Sequence, residues 1–211
     1  MIEVELKFEV SPQSRAQLEA KLDDLPGVRW LGQIVNDDRY FDTADLACLQ
    51  QAVFIRIRNH EQLEMKFHDQ ADPAHTHSTE RTFPLKAESP LISEMNALCA
   101  RFIPGWQAAE TVNEAIRVNG LEEYAHIANR RARYAYEAMT LSVDEVDGLG
   151  NFFEVETACA EGAEIEQSLA RLRAFVAGLA FPALRPVWTG YVEQWLQRYR
   201  PQIAYLKKEH R

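Results

Sequence analysis

Polar and apolar residues alternate along several short stretches of the chain, the pattern typical of strands with one buried face. Residues 2–10 show it most clearly, since every even position is apolar and every odd position is charged. The runs 53–58 and 62–67 alternate in the same way on either side of a short polar turn, which predicts a hairpin. Further strand-like runs bring the expected total to about eight antiparallel strands, and they lie at 28–40, 79–85, 124–146 and 152–157.

Apolar residues at helical spacing separate these strands. Ser11 and Pro12 predict the start of a first helix that ends at Pro26-Gly27. Similar spacing predicts helices near 91–102, 165–179 and 188–199, whereas the stretch 110–117 is ambiguous. No linker or low-complexity segment divides the chain, so the pattern predicts one α+β domain over residues 1–211.

Composition narrows the class of protein. The chain has 211 residues, 46% of them hydrophobic and 26% charged, and a formal net charge of -9. This negative charge argues against a protein that coats nucleic acid. No apolar run approaches the ~20 residues of a membrane span, and the acidic start does not resemble a signal peptide. We therefore expect a cytoplasmic protein without membrane or nucleic-acid partners. Cys48, Cys99 and Cys159 are widely spaced, which favours buried thiols over disulfides or zinc ligands.

The polar faces of the predicted strands are sorted by the sign of their charge. Arginine pairs occur at 56/58 and 131/133, and a glutamate pair occurs at 154/156. A solvated face is the ordinary explanation for one such strand, but surfaces usually mix both signs. A wide antiparallel barrel points alternate residues inward, so these pairs would converge on an internal polar cavity.

Clustered carboxylates and clustered arginines each need a partner of opposite charge. Carboxylate oxygens suit a hard divalent cation such as Mg²⁺ or Mn²⁺. The planar guanidinium fork suits phosphate oxygens. A metal-bound polyphosphate would satisfy both sets of side chains.

The sequence resembles the CYTH superfamily, the triphosphate tunnel metalloenzymes. Glu3-Val4-Glu5-Leu6-Lys7 matches the Glu-x-Glu-x-Lys signature that these proteins carry in their first strand. Further matches follow in order along the chain, at Arg56-Ile57-Arg58, Glu64-Met65-Lys66, Glu80, Arg131, Asp144 and Glu154-Val155-Glu156.

The resemblance implies an antiparallel eight-stranded β-barrel (tunnel) with flanking helices, in which a helix at about 186–208 plugs or flanks the tunnel. It also implies a cofactor, Mg²⁺ (or Mn²⁺), and a role for each matched residue. The implied catalytic residues are Glu3, Glu5, Lys7 and Lys66. The implied phosphate-binding residues are Lys7, Arg56, Arg58, Lys66, Glu80, Arg131 and Arg133. The implied metal ligands are Glu3, Glu5, Asp144, Glu154 and Glu156.

Within the superfamily, the stretch 197–202 resembles the thiamine triphosphatase branch. The resemblance therefore implies hydrolysis of thiamine triphosphate or inorganic tripolyphosphate by a monomer or homodimer. Two alternatives stay open: a class IV-type adenylate cyclase, and a non-catalytic polyphosphate-binding module. Family members usually carry a lysine on the plug helix, where this chain has Tyr191, and Arg185 is the nearest basic residue.

Overall fold

Antiparallel strands form the framework of the computed structural model, which describes residues 2–68, 77–86, 89–160 and 162–204. The strands are β1 (Ile2–Val10), β2 (Val28–Asp42), β3 (Phe54–Arg58), β4 (Gln62–Phe67), β5 (His77–Pro84), β6 (Glu122–Tyr136), β7 (Met139–Val146), β8 (Gly150–Cys159) and β9 (Arg185–Val187). Their order is β5-β4-β3-β2-β6-β7-β8-β1-β9. An additional pairing between β1 and β5 closes the first eight strands into a barrel, which confirms the predicted fold.

Seven helices flank the strands in the described part of the chain. They are α1 (Pro12–Asp24), α2 (Ala47–Gln50), α3 (Ser89–Phe102), α4 (Val112–Val118), α5 (Ile165–Leu179), α6 (Tyr191–Tyr199) and α7 (Pro201–Ala204). The predicted Ser11 cap is present, since its hydroxyl accepts a hydrogen bond from the Ser14 amide at 3.1 Å. No helix in these described ranges is long and apolar enough to span a membrane.

Three elements were missing from the sequence prediction. Asp42 stabilises the first turn of α2, because its carboxylate accepts hydrogen bonds from the amides of Cys48 and Leu49. In the ambiguous stretch, the Thr111 side chain caps α4. Residues 185–187 form β9 against β1, so the helix predicted from about 186 begins only at Tyr191. Its predicted end, at 205–208, lies outside the described residues.

The first of two compact units contains the described residues of 1–36, 70–79 and 128–191. The even-numbered apolar residues of β1 pack with α1 and α5 in one core, where Leu18 and Leu172 are fully buried. The alternating strand therefore presents its odd-numbered charged residues on the opposite face of the sheet.

The second unit contains the described residues of 37–69, 80–127 and 192–211. Ile55 of β3 and Met65 of β4 pack with Met95 of α3 in a separate core, and all three side chains are fully buried. This leaves Arg56, Arg58 and the other polar residues of the hairpin on the face away from α3. In each unit the apolar face of the strands is therefore buried under helices, and the charged side chains lie on the opposite face.

Candidate active site

Strand register brings the charged residues of the first unit onto one sheet face. Glu154 of β8 lies between Lys7 of β1 and Ser142 of β7, and Ser142 lies opposite Arg133 of β6. In the neighbouring rows, Arg131 is directly opposite Asp144, and Glu5 is directly opposite Glu156. Directly opposed residues of antiparallel strands point to the same side, so these side chains can interact. We call this set the carboxylate cluster: Glu3, Glu5, Lys7, Arg131, Asp144, Glu154 and Glu156.

Arg131 joins two buried carboxylates of this cluster. Its Nε and Nη2 donate to Oδ1 and Oδ2 of Asp144 at 2.8 and 2.6 Å, a bidentate geometry. Nη2 also donates to Glu154 Oε2. Asp144 is 0% exposed and Glu154 is 4% exposed. Burial disfavours the charged guanidinium, but Glu154 and Asp144 more than offset this effect and raise the pKa of Arg131.

Lys7 joins the same network from β1. Its Nζ lies 2.9 Å from Glu5 Oε1 and 3.1 Å from Glu154 Oε1. Burial alone would raise the pKa of Glu154, yet Lys7 and Arg131 outweigh burial and lower it. Glu154 is therefore an ionised carboxylate held between two cations.

Glu156 is in the opposite electrostatic situation. Burial, and then the neighbouring carboxyl group of Glu3, raise the pKa of Glu156 to about 9. Two facing carboxyl groups cannot both ionise at low cost unless a cation lies between them. At neutral pH this pair therefore holds a proton, or exchanges it for a positively charged ligand.

The composition of the carboxylate cluster fits a divalent cation. Its five carboxyl groups exceed its cations, Lys7 and Arg131, and oxygen donors of this kind suit Mg²⁺ or Mn²⁺. As the side chains lie, however, no three acidic, histidine or cysteine groups within residues 2–68, 77–86, 89–160 and 162–204 surround a common point. A bound cation would therefore require some carboxylates to turn away from Arg131 and Lys7.

Tyr191 contacts the carboxylate cluster from the start of α6. Its hydroxyl donates to Asp144 Oδ2 at 2.7 Å, and its ring packs against Phe152. Burial, with Asp144 and Glu154, raises the pKa of Tyr191, so the hydroxyl remains a proton donor. Arg185, the nearest basic residue on this segment, is exposed instead and pairs with Glu9 at 3.0 Å.

Arg133 and Ser142 extend this face at one edge. The two residues are register partners on β6 and β7. Ser142 Oγ is buried and has no hydrogen-bond partner in the described part of the chain. The structure therefore places Arg133, a predicted phosphate ligand, opposite a buried hydroxyl group.

The second unit contains the other predicted phosphate-binding residues. Arg56 lies between Tyr40 and Glu64 in the register of β2, β3 and β4. Its Nε donates to Glu64 Oε2 at 2.7 Å, and its Nη1 donates to the Tyr40 hydroxyl at 3.2 Å. Lys66 lies 3.2 Å from Glu80 Oε1.

Asp38 holds both arginines of β3. Arg58 donates to Asp38 through Nε and Nη2, each at 2.7 Å, while Arg56 Nη1 lies 3.3 Å from Asp38 Oδ2. We call these residues the guanidinium cluster: Asp38, Tyr40, Arg56, Arg58 and Glu64. Burial opposes the charge on Arg56, but Asp38 and Tyr40 help to raise its pKa, so the guanidinium remains ionised.

The structure thus groups the predicted site residues in two sets, each within one unit. The carboxylate cluster contains every predicted metal ligand together with Lys7 and Arg131. Arg56 and Arg58 lie in the guanidinium cluster, and Lys66 pairs with Glu80 in the same unit. The roles of these residues in catalysis and binding remain predictions.

The sequence prediction missed Asp38, Tyr40 and the contact of Tyr191 with Asp144. The sequence does indicate that Asp38 and Tyr40 share one face of a strand, because polar residues alternate at Asn36, Asp38, Tyr40 and Asp42. The contact of Tyr191 joins residues distant in sequence, so no local pattern could have revealed it.

Comparison with known proteins gives one family match. The family model described as CYTH domain matches residues 1–184. No curated protein is similar enough in sequence to match the chain.

Solved structures share the fold at low sequence identity. PH1819 from Pyrococcus horikoshii OT3 has a TM-score of 0.66 at 20% identity, covering 93% of this chain and 99% of that protein. A putative adenylate cyclase from Vibrio parahaemolyticus has a TM-score of 0.64 at 15% identity, with coverages of 92% and 98%. HpAC1 from Hippeastrum, described as a putative adenylyl cyclase with a dominant triphosphatase activity, has a TM-score of 0.58 at 20% identity, with coverages of 93% and 94%.

Proposed function

The chain belongs to the CYTH family, and from this membership and its two charged clusters we propose that it is a metal-dependent triphosphatase. The proposed reaction is hydrolysis of the terminal phosphoanhydride of thiamine triphosphate or inorganic tripolyphosphate. The observation that carries the proposal is the pairing of buried Asp144 and Glu154 with Lys7 and Arg131 on one sheet face. Such burial of paired charges is costly, and sites that bind a charged ligand commonly contain it.

Asp144, Glu154 and Glu156 would hold the cation, Mg²⁺ or Mn²⁺. When bound, it would neutralise charge on phosphate oxygens and on the leaving diphosphate. Asp144 and Glu154 are both buried and already accept charge-assisted hydrogen bonds. They can therefore exchange one positive partner for another without leaving a buried charge unpaired.

The basic residues would bind the phosphate chain. Lys7 and Arg131 are ionised within the carboxylate cluster, and their charges would stabilise negative charge that develops on the departing diphosphate. Arg56 and Arg58 would donate to phosphate oxygens through side chains that Asp38 and Glu64 already orient. Lys66, Glu80 and Arg133 would extend these contacts.

Glu3 and Glu5 would act on water. A carboxylate can accept a proton from a water molecule while the oxygen of that water attacks the terminal phosphorus. The bond between this phosphorus and the bridging oxygen breaks in the same step. Glu3 faces Glu156 and Glu5 pairs with Lys7, so both lie within the carboxylate cluster. Glu3 and Glu5 could alternatively hold a second cation, a role that also suits their oxygen donors.

A substrate panel tests the proposal. Phosphate release from thiamine triphosphate, tripolyphosphate and ATP would be measured with Mg²⁺, with Mn²⁺ and with EDTA. We expect metal-dependent release of one phosphate from thiamine triphosphate or tripolyphosphate. Cyclic AMP and diphosphate from ATP would instead identify an adenylate cyclase, the activity after which two solved structures of the same fold are named. Tight binding of tripolyphosphate without turnover in either metal would identify a binding module and overturn the proposal.

A further inference from the structure

Tyr191 contacts the carboxylate cluster at two points. Its hydroxyl donates to Asp144 Oδ2 at 2.7 Å. The face of its ring lies under Lys7, whose Nζ is 4.5 Å from the ring centroid. This distance is within the range of a cation–π contact. Tyr191 therefore contacts both a predicted metal ligand and the lysine that pairs with Glu5 and Glu154.

The hydrogen bonds to Asp144 leave little of its carboxylate free. Oδ1 accepts one bond from Arg131 Nε, whereas Oδ2 accepts one from Arg131 Nη2 and one from the Tyr191 hydroxyl. A carboxylate offers about four lone-pair sites, two on each oxygen. With both sites of Oδ2 in use, the remaining site is on Oδ1. While Arg131 and Tyr191 hold these bonds, only Oδ1 of Asp144 has a lone-pair site available to a cation.

The ring of Tyr191 is fixed independently of its hydroxyl. The Phe152 ring lies 4.9 Å away between centroids at an interplanar angle of 55°. Lys7 covers the ring face. A phenylalanine at this position would keep both ring contacts and lose only the hydroxyl, which donates to Asp144 and also interacts with Glu154.

We propose that Tyr191 is a positioning residue for the divalent cation, acting through Asp144. Its hydroxyl hydrogen-bonds to Oδ2, so Asp144 would offer Oδ1 to a bound cation. This inference rests on the proposed metal-binding role of the carboxylate cluster. Hydrogen-bond partners of metal ligands typically contribute about tenfold to a hundredfold in metal affinity.

Binding of Mn²⁺ without substrate tests this role directly. Free Mn²⁺ would be followed by electron paramagnetic resonance during titration of the wild type and of Tyr191→Phe. We expect the variant to bind Mn²⁺ about tenfold more weakly. Its melting temperature in EDTA should fall by only a few degrees, because one hydrogen bond to buried Asp144 is lost. Tyr136→Phe is the matched control, because Tyr136 packs its ring against Phe175 in the same unit and has no contact with the carboxylate cluster.

Two results would overturn the inference. One is equal Mn²⁺ affinity of Tyr191→Phe and the wild type, and the other is a wild type that binds no Mn²⁺. If phosphate release is observed, the variant should need about tenfold more metal for half-maximal activity and keep its kcat at saturating metal. If the first result, equal metal affinity, is accompanied by a lower kcat, the hydroxyl contacts the substrate instead.

The inference and the proposed function can fail separately. A wild type that binds Mn²⁺ but releases phosphate from no triphosphate would refute the triphosphatase proposal. Weaker Mn²⁺ binding by Tyr191→Phe in that same protein would still support the role of Tyr191.

Discussion

Arg131 and Asp144 are directly opposite one another on β6 and β7, and they form a bidentate ion pair with distances of 2.8 and 2.6 Å. Asp144 is completely buried. The adjacent residue Arg130 points the other way and forms an exposed pair with Glu145 at 2.6 Å. The chain therefore contains two consecutive arginines, one in a buried network with two carboxylates and one in an exposed pair, that can be compared by mutagenesis.

Arg131→Gln should destabilise the metal-free protein strongly. Removing one partner of a buried ion pair costs about 3–5 kcal/mol because the other charge is left unpaired. For a chain of this size, we expect the melting temperature to fall by about 6 °C or more. Arg130→Gln should change the melting temperature little, because exposed pairs contribute little. Similar shifts for both variants in thermal melts with EDTA would contradict the burial argument.

Glu156 should make the stability of the metal-free protein fall as pH rises. Its pKa is raised to about 9 in the folded protein, from an ordinary value of 4.5. Between these two values the folded state binds a proton that the unfolded state releases, so folding is favoured less as pH increases. In EDTA, Glu156→Gln should melt about 3 °C or more above the wild type at pH 8 and close to it at pH 5.

The exposed residue Glu122 supplies the control for this pH experiment. Glu122→Gln should have the same melting temperature as the wild type at both pH values. A Glu156→Gln variant whose difference from the wild type is the same at pH 5 and pH 8 would show that Glu156 is not protonated in the folded protein.

Arg56→Ala and Arg58→Ala should weaken binding of tripolyphosphate much more than binding of inorganic phosphate. A hydrogen bond to a charged group contributes about 1.5–3 kcal/mol, so each variant should bind tripolyphosphate about tenfold more weakly or worse. Arg39→Ala is the control, since Arg39 lies in the same unit and forms longer, more exposed pairs with Asp37 and Glu123. Calorimetry that finds equal losses for both anions would contradict a polyphosphate site.

Asp38→Asn tests whether the guanidinium cluster is oriented by its carboxylates. Removing a negative charge should by itself strengthen anion binding. Asp38, however, holds Arg58 through two hydrogen bonds of 2.7 Å and also contacts Arg56. If orientation dominates, the variant should bind tripolyphosphate about fivefold more weakly or worse. Tighter binding in the same calorimetric titration would show that the charge of Asp38 matters more than its geometry.

Period-2 alternation allowed most of the fold to be predicted. In β1 a strict alternation identified both the strand and its charged face, because successive side chains point to opposite sides of a sheet. The short helix α2 could not be predicted this way, because it depends on Asp42 capping amides 6 and 7 residues later. The strand β9 depends on pairing with β1 across more than 170 residues, which local propensity does not encode.

The candidate site could be predicted in its residue types but not in its contacts. Alternation and charge placed Arg131, Asp144 and Glu154 on inward or buried faces, and the structure shows all three in one network. The sequence pattern could not show that Arg131 forms ion pairs with both Asp144 and Glu154. It also could not show that Tyr191 reaches Asp144, since the two residues are 47 positions apart.

Metal-dependent phosphate release by Glu154→Gln tests the central claim most directly. Glu154 is ionised, buried and bound by Lys7 and Arg131, so its loss should remove the proposed cation site while glutamine keeps the side-chain shape. The control is Glu145→Gln, a half-buried glutamate that pairs with Arg15 and Arg130. Phosphate release from tripolyphosphate and thiamine triphosphate would be measured over a range of Mg²⁺ and Mn²⁺ concentrations. We expect Glu154→Gln to lose metal-dependent turnover by about a hundredfold or more, whereas Glu145→Gln should keep wild-type activity. A folded Glu154→Gln variant with full Mg²⁺-dependent activity would contradict the assignment of the carboxylate cluster as the metal site.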